Sequence, residues 1–319
     1  MKSKKGFEFS FAWLFAIIVG AVILFLAIYV TTRLIQTQRT VQDTELGKEL
    51  GIVLNPLETS LETAKVSSIT LPQPTRLFNE CDEDLGTFGV QKISIATRLS
   101  IGEQWQAPGF PSSFRNKYLF SSDVVEGTKY IVFSKPFEMP FIVANLIYLF
   151  SDNDRFCFVD PPLELEKEIE SLQIEQIAIT SEVSSCPEET RKVCFRSSGC
   201  DIDVTLDVSG KIRGTLKKKF LDRVYFDSPS LFYAALFSSP LMYECQIQRL
   251  MHRTSELAGL YASKGTLLAT KNCPSNIESD LALYAQQTFS LNRSSDLAAI
   301  AILSDQLRRK NSDLSCKLF

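Results

Sequence analysis

Residues Phe11 to Val30 read FAWLFAIIVGAVILFLAIYV, a continuous run without one charged side chain. As a helix rising about 1.5 Å per residue, this run spans the ~30 Å hydrocarbon layer of a bilayer. It exceeds the apolar core of ~7–15 residues found in a cleavable secretory signal, and it ends in Ala27-Ile28-Tyr29-Val30 rather than a small-x-small cleavage site. The segment therefore reads as one retained transmembrane helix. Lys2, Lys4 and Lys5 precede it and Arg33 follows it, so the short basic flank places the N-terminus in the cytoplasm and the head outside. The expected location is the cell membrane, single-pass, with membrane lipid as a partner. Ala12, Ala16 and Gly20 recur every four residues, a small-xxx-small face that lets a second helix backbone approach and predicts self-association. The abundance of Ala and Gly in membrane helices also produces such triplets without partners.

Working outward, TTRLIQTQRTVQDTELGKEL from Thr31 to Leu50 is polar, free of Pro and rich in helix formers, so it continues the membrane helix. Ile35, Val41, Leu46 and Leu50 give this outer half a thin apolar stripe, which packs on its own head or on a neighbouring chain. Asn55-Pro56 and then LPQP at 71–74 break the helical pattern and mark the entry into the head. The boundaries that follow are a basic leader 1–6, the long helix 7–54, a β-rich part 55–227 and a helical part 228–319.

Ile93, Ile95, Thr97, Leu99 and Ile101 alternate with Ser94, Ala96, Arg98 and Ser100, the period of a half-buried strand. Further strands are expected over 118–120, 129–134, 142–150, 156–160, 175–180 and 192–196, with a hairpin turn at Ser151-Asp152-Asn153-Asp154. Pro161-Pro162 opens a short amphipathic helix, LELEKEIESL, and Val204 to Leu216 reads as another hairpin about Ser209-Gly210. Beyond Ser228 the spacing turns helical, with Ser-Pro steps starting two helices, Ser-Ser-Asp starting the last, and Gly265 ending the longest. Strands first and helices afterwards define an α+β head: a mainly antiparallel sheet with a C-terminal helical layer.

All eight cysteines, Cys81, Cys157, Cys186, Cys194, Cys200, Cys245, Cys273 and Cys316, lie beyond the apolar run. An even number on the outer side suits a disulfide-bonded ectodomain, with at least two bonds expected. Cys273 with Cys316 and a local link among Cys186, Cys194 and Cys200 are the favoured places; buried thiols alternating with aromatics around Cys157 and Cys194 are the competing reading. No close C-x2-4-C pairs occur, which argues against zinc, and the single histidine, His252, excludes metal sites built on several histidines. With 34 Lys+Arg against 37 Asp+Glu the charge gives no case for nucleic acid.

No nucleophile elbow, Ser-x-x-Lys pair or Gly-rich phosphate loop is present, so no catalytic residue and no cofactor is nominated. His252 reads as a helix histidine, and its seven-residue separation from Cys245 does not suit a nucleophile pair. The acidic steps 82–84, 152–154 and Asp201-x-Asp203 lack EF-hand spacing and read as turns. Lys217-Lys218-Lys219 reads as a solvated strand edge, and Asn292-Arg293-Ser294 is an N-glycosylation sequon.

The basic leader ending in Lys4, Lys5 and Gly6, followed by Phe7, Glu8 and the apolar helix with its polar continuation, resembles archaeal type IV pilin-like proteins with class III signal sequences. The resemblance implies cleavage of the leader by a prepilin-type peptidase, helices packed into a filament core and heads facing outward. Cutting after Gly6 leaves Glu8 at the second mature position, where that family has its glutamate at the fifth; cutting after Ser3 restores the fifth position with Lys4 first. Over its whole length, with KPFEMPF at 135–141, SSPLMYEC at 238–245 and the terminal CKLF, the chain also resembles membrane-anchored proteins of small-genome DPANN archaea, a likeness that supplies no activity. The resulting expectation is a non-enzymatic anchored surface protein, pilin-like in assembly. A monomeric binding or sensing ectodomain is the alternative, and an anchored hydrolase a third.

Overall fold

The computed structural model describes residues 11–58, 66–84, 86–98, 105–207 and 211–319. The leader and processing residues Lys4, Lys5, Gly6, Phe7 and Glu8, the strand end at Leu99 and Ile101, and the Ser209-Gly210 turn lie outside them. The fold is α+β. Helix α1 (Phe11–Val53) runs unbroken from the apolar segment into its polar continuation, and a short helix α2 (Asn55–Glu58) follows. Twelve strands among the described residues then form two sheets. Sheet one holds β1 (Ser67–Asp82), β2 (Val90–Thr97), β3 (Ser112–Phe114), β4 (Leu119–Phe120), β5 (Val124–Glu138) and β6 (Ile142–Ser151), in the order β3-β2-β1-β5-β6-β4. Sheet two holds β7 (Phe156–Val159), β8 (Ile177–Thr180), β9 (Arg191–Cys194), β10 (Ile202–Leu206), β11 (Gly214–Lys218) and β12 (Arg223–Phe226), in the order β12-β11-β10-β9-β7-β8. Helix α3 (Leu163–Leu172) is the crossover between the parallel strands β7 and β8. Sheet one is antiparallel apart from β4 beside β6, whereas β8, β7, β9 and β10 run parallel, so the whole is mixed but mostly antiparallel.

Two turn signals act differently from their sequence reading. LPQP sits inside β1, at a register shift between Thr70 and Thr75 where no neighbour needs an amide from it and only the Pro74 carbonyl is used, accepting from the Arg98 amide at 3.0 Å, so Pro72 and Pro74 forfeit no ladder bond. The Tyr130 hydroxyl closes this bulge by donating to the Thr75 carbonyl at 2.7 Å. Ser151–Asp154 makes a tight turn but no hairpin: it carries the chain from β6 in sheet one to β7 in sheet two. Arg191 of β9 holds Asp154 at 2.8 Å, and Phe150 and Phe156 meet edge to face at 5.8 Å, so both sides of the turn are drawn into different layers. Gly265 also differs, since α5 runs on to Ala269; Gly265 is instead where the Glu278 side chain lies against the helix, so a Cβ there would have to displace its carboxylate.

Helices α4 (Pro229–Phe237), α5 (Pro240–Ala269), α6 (Glu278–Phe289) and α7 (Leu297–Ser312) complete the head. Ser228 and Ser239 cap α4 and α5, their hydroxyls accepting from the Leu231 and Met242 amides. The sequence of α4, PSLFYAALF, is apolar all round, which demands burial on every side. It lies between the sheets, where Phe232, Tyr233 and Phe237 join Phe133, Tyr148, Phe150, Phe156 and Phe158 in one aromatic core.

The helical layer is tied to sheet one by a buried polar seam. Gln91 of β2 donates to Asn79 at 2.7 Å and to the Leu119 carbonyl at 2.8 Å, and its own oxygen accepts from the Leu119 amide. Beside them Arg249 of α5, fully buried, donates to the carbonyls of Phe88, Lys117, Phe114 and Arg115 and to Gln246. Tyr118 lies 4.9 Å from the guanidinium carbon. No carboxylate is among these partners; the charge is met by carbonyl dipoles, and burial pulls the guanidinium down to about 10.

The cysteines form four pairs: Cys81–Cys245 joins β1 to α5, Cys157–Cys186 ties β7 to the segment after β8, Cys194–Cys200 closes the β9–β10 connection, and Cys273–Cys316 links the segments after α5 and α7. Their Cα separations of 6.1, 5.8, 6.1 and 6.2 Å fall in the range of disulfides. Non-reducing peptide mass mapping is expected to return these four links. Arg249→Ala should lower the unfolding free energy by about 3–5 kcal/mol, because several carbonyls lose their donor inside the core. Arg249→Lys should recover little, since an ammonium lacks the fork that reaches both the Phe88 and the 114–117 segments. Urea unfolding of the full chain in detergent measures both.

Candidate functional site

The stem helix presents two faces with different fates. From Phe11 to Gln38 every residue of α1 is exposed; from Arg39 onward the helix lies on the outer face of sheet one. The docked face is built from small and polar residues. Gly47 faces Ser112 and the Ile93 carbonyl at a distance that would still admit a methyl, whereas a side chain at Gly51 would collide with the Phe114 ring. Leu50, Leu54 and Leu57 then pack with Leu77, Ile93, Ile95, Val132, Ile147 and Leu149. The expected stripe is thus half corrected: Leu46 and Leu50 belong to the contact, but Ile35 and Val41 stay exposed because the docked line runs through Asp43, Gly47, Leu50 and Leu54.

Asp43 is the one charged residue fully buried on that face. Its carboxylate accepts from the Thr97 hydroxyl at 3.1 Å and the Thr97 amide at 3.4 Å. Burial pushes its carboxyl up from the usual range, against the opposing pull of the Thr97 hydrogen bonds and Arg39. One residue on, the Thr44 hydroxyl accepts from the Phe110 amide at 3.0 Å, and Gly109 passes so close that a Cβ there would stand 2.7 Å from the Thr44 nitrogen.

Between the stem and the LPQP bulge lies a groove with two connected parts. An apolar part of about 220 Å³ is lined chiefly by Leu46, Leu50, Ile69, Leu71, Leu77 and Tyr130. Its mouth, about 290 Å³, adds Gln42, Asp43, Glu45 and Gln73, and Glu49 and Leu71 line both. The charged side chains of this lining are all acidic.

The free face is the other half of the stem. Ala16, Leu34 and Ile52 are eighteen residues apart, which is five turns at about 3.6 residues per turn, so they share one line along the helix. Ala12, Gly20, Ile23 and Val41 flank that line, roughly half a turn from Asp43, Gly47 and Leu54. Leu34 is 61% exposed, Val41 51% and Ile52 65%. Gln38, Glu45 and Lys48 interrupt the outer part of this face.

The remaining residues singled out in the sequence have structural roles. His252 places Nδ1 3.1 Å from the Thr87 carbonyl and stacks on Phe289, and Cys245 is paired with Cys81, so the two share no site. Asp201 accepts the Lys192 amide, and Asp203 accepts those of Gly199 and Cys200, holding the short disulfide loop. No group of three or more metal-ligating side chains gathers among the described residues. Lys217 and Lys219 are exposed, but Lys218 is only partly so: β11 is an inner strand, and Lys218 donates to the Ser238 carbonyl at the end of α4. Burial and Arg191 lower it to about 7. Asp227, missed by sequence reading because its partner lies across a hairpin, is ion-paired with Arg213 at 3.0 Å and pushed by burial to about 6. In the sequon, Asn292 is exposed, whereas the Ser294 hydroxyl donates to Glu244 at 2.6 Å and is buried. Compared with known proteins, the chain matches no family model, and no curated protein or solved structure matches it.

Two measurements probe the stem contact. A folded-state carboxyl raised above its ordinary value of 3.8 binds protons that the unfolded chain has released, so its contribution falls as pH rises through the raised value. The Asp43 contribution to head stability should therefore grow on lowering pH from about 7 to 4, read as the difference between wild type and Asp43→Asn across that range in urea titrations. Gly109→Ala should weaken docking by about 1–3 kcal/mol, since the obstacle is backbone. Faster tryptic cleavage after Arg39 and Lys48 in the full-length protein is the readout.

Proposed function

We propose that this chain is a non-enzymatic membrane-anchored protein whose stem helices associate through their free face, carrying the heads outward as a pilin-like assembly does. The observation that carries this reading is the opposition of faces on α1. The head occupies the side of Asp43, Gly47 and Leu54, and the side bearing Ala12, Ala16 and Gly20 continues outward as Leu34, Val41 and Ile52, all exposed. A helix bound by its head on one side and small on the other leaves room for neighbouring backbones where no head obstructs them. The apolar run from Phe11 is long enough to cross a bilayer, with the N-terminus read as cytoplasmic from its lysines. Four cysteine pairs suit an oxidising outer compartment.

The test has two parts. Energy transfer between differently labelled full-length copies in liposomes should report association, and Ala16→Leu with Gly20→Leu should weaken it about three- to thirtyfold, the equivalent of roughly 0.6–2 kcal/mol of helix packing. Intact mass with N-terminal sequencing of protein from its native membrane should find Phe7 or Lys4 first if a prepilin-type peptidase acts. A monomeric chain with its leader intact replaces this reading by that of an anchored monomeric ectodomain.

A further inference from the structure

The tip joining β11 to β12 is unusual for an exposed turn. Phe220 is 92% exposed and Leu221 is exposed beside it. Phe220 adopts a φ of 62°, in the left-handed region that a bulky side chain rarely enters. The tip is flanked by Lys217, Lys219 and Arg223, all exposed, with Asp222 the one acid among them, and Lys219 stands over the Phe220 ring at 5.6 Å. An aromatic knob is thus held out on a basic collar by a backbone that a glycine would satisfy more easily.

The groove between stem and sheet one is its complement in size and charge. Its apolar part is about 220 Å³, and a cavity of about 150 Å³ already accepts a benzene ring. Glu45, Glu49 and Asp43 are the charged residues of its lining, and the first two are exposed. Knob and groove of one copy are kept apart by the fold: the tip belongs to sheet two, on the inner side of sheet one, and the groove lies on the outer side with the stem.

We propose that the Phe220–Leu221 tip of one copy inserts into the stem–head groove of a second copy, with Lys217, Lys219 and Arg223 facing Glu45 and Glu49. Because the two patches differ, the contact is heterologous: each copy keeps a free knob at one end and a free groove at the other, so the contact closes into a ring or propagates as a filament. It builds on the self-association proposed above and names the contact between heads, while the stem face supplies the contact within the membrane.

The experiment replaces Phe220 in the full-length chain with photoreactive p-benzoylphenylalanine, mixes isotopically light and heavy copies in liposomes, and maps the crosslinks after irradiation. Mixed light–heavy crosslinks from position 220 to residues 42–53 or 69–77 are the expected result. Crosslinks to lipid, to another surface or within one copy overturn the proposal, as does the absence of any crosslink. Phe220→Gly removes the knob while relieving its backbone, so a fall in energy transfer of about tenfold with unchanged disulfides and melting temperature cannot be misfolding, and unchanged transfer overturns the proposal. Lys217→Glu with Lys219→Glu should lower the crosslink yield about tenfold, and adding Glu45→Lys with Glu49→Lys should restore it. The two readings separate cleanly. Loss of transfer in Ala16→Leu/Gly20→Leu with no 220-to-groove crosslink leaves the stem contact and removes this one, and the crosslink without any effect of those helix variants does the reverse.

Discussion

Arg249 is placed where two segments of chain, at Phe88 and at 114–117, would otherwise have no common partner. The carbonyls of Phe88, Phe114, Arg115 and Lys117 all point into one buried space, and each needs a donor. A single planar fork answers them, with Gln246 and Gln91 completing the seam and Cys81–Cys245 alongside. Because the charge is balanced by dipoles belonging to separate loops, the arrangement holds only when all of those loops are in place. The strands that receive the stem, β2 and β3, are adjacent to these loops, so the position of the stem depends on the same seam.

The stem contact illustrates how a helix can be seated firmly without a broad apolar stripe. Gly109 brings its backbone against that of the stem, Gly51 admits the Phe114 ring, and Asp43 and Thr44 accept hydrogen bonds from Thr97 and Phe110. Small residues thus fall on both sides of one helix: Gly51 faces the head in the outer half, and in the apolar half, on the opposite side, Ala12, Ala16 and Gly20 are exposed. The aliphatic residues left over, Leu34, Val41 and Ile52, mark the side that the head does not cover.

Much of this was legible in the sequence because it rests on local periodicity. The uncharged run from Phe11, the Ser-Pro helix starts and the spacing of Cys194 and Cys200 each state a local rule that tertiary context left standing, whereas the alternation through Ile93 and Ile95 gave the strand but not its half-burial, since Ser94 and Ala96 are buried too. What escaped reading depends on pairing across the fold. LPQP looks like a break because proline cannot donate, yet a bulge removes the need for a donor. Ser151–Asp154 has the residues of a hairpin turn, but which sheet receives the next strand is decided by aromatic packing on α4. Lys218 is indistinguishable from Lys217 and Lys219 until the strand order puts it beneath the end of α4. The groove and its acidic mouth arise from residues 42–53 and 69–77 meeting, a proximity no spacing encodes.

The pairing of cysteines also orders events in time. Cys81 is synthesised 164 residues before Cys245, and the four cysteines that appear in between, Cys157, Cys186, Cys194 and Cys200, pair among themselves over 29 and 6 residues. A chain emerging from its N-terminus thus passes a long interval with one early thiol exposed to four wrong partners. Short loops cost less entropy to close than long ones, so the local pairs are favoured over links from Cys81 to those competitors. Cys81 is then left with the one partner that lies beside Arg249, and closure of the head becomes the last oxidative step for sheet one.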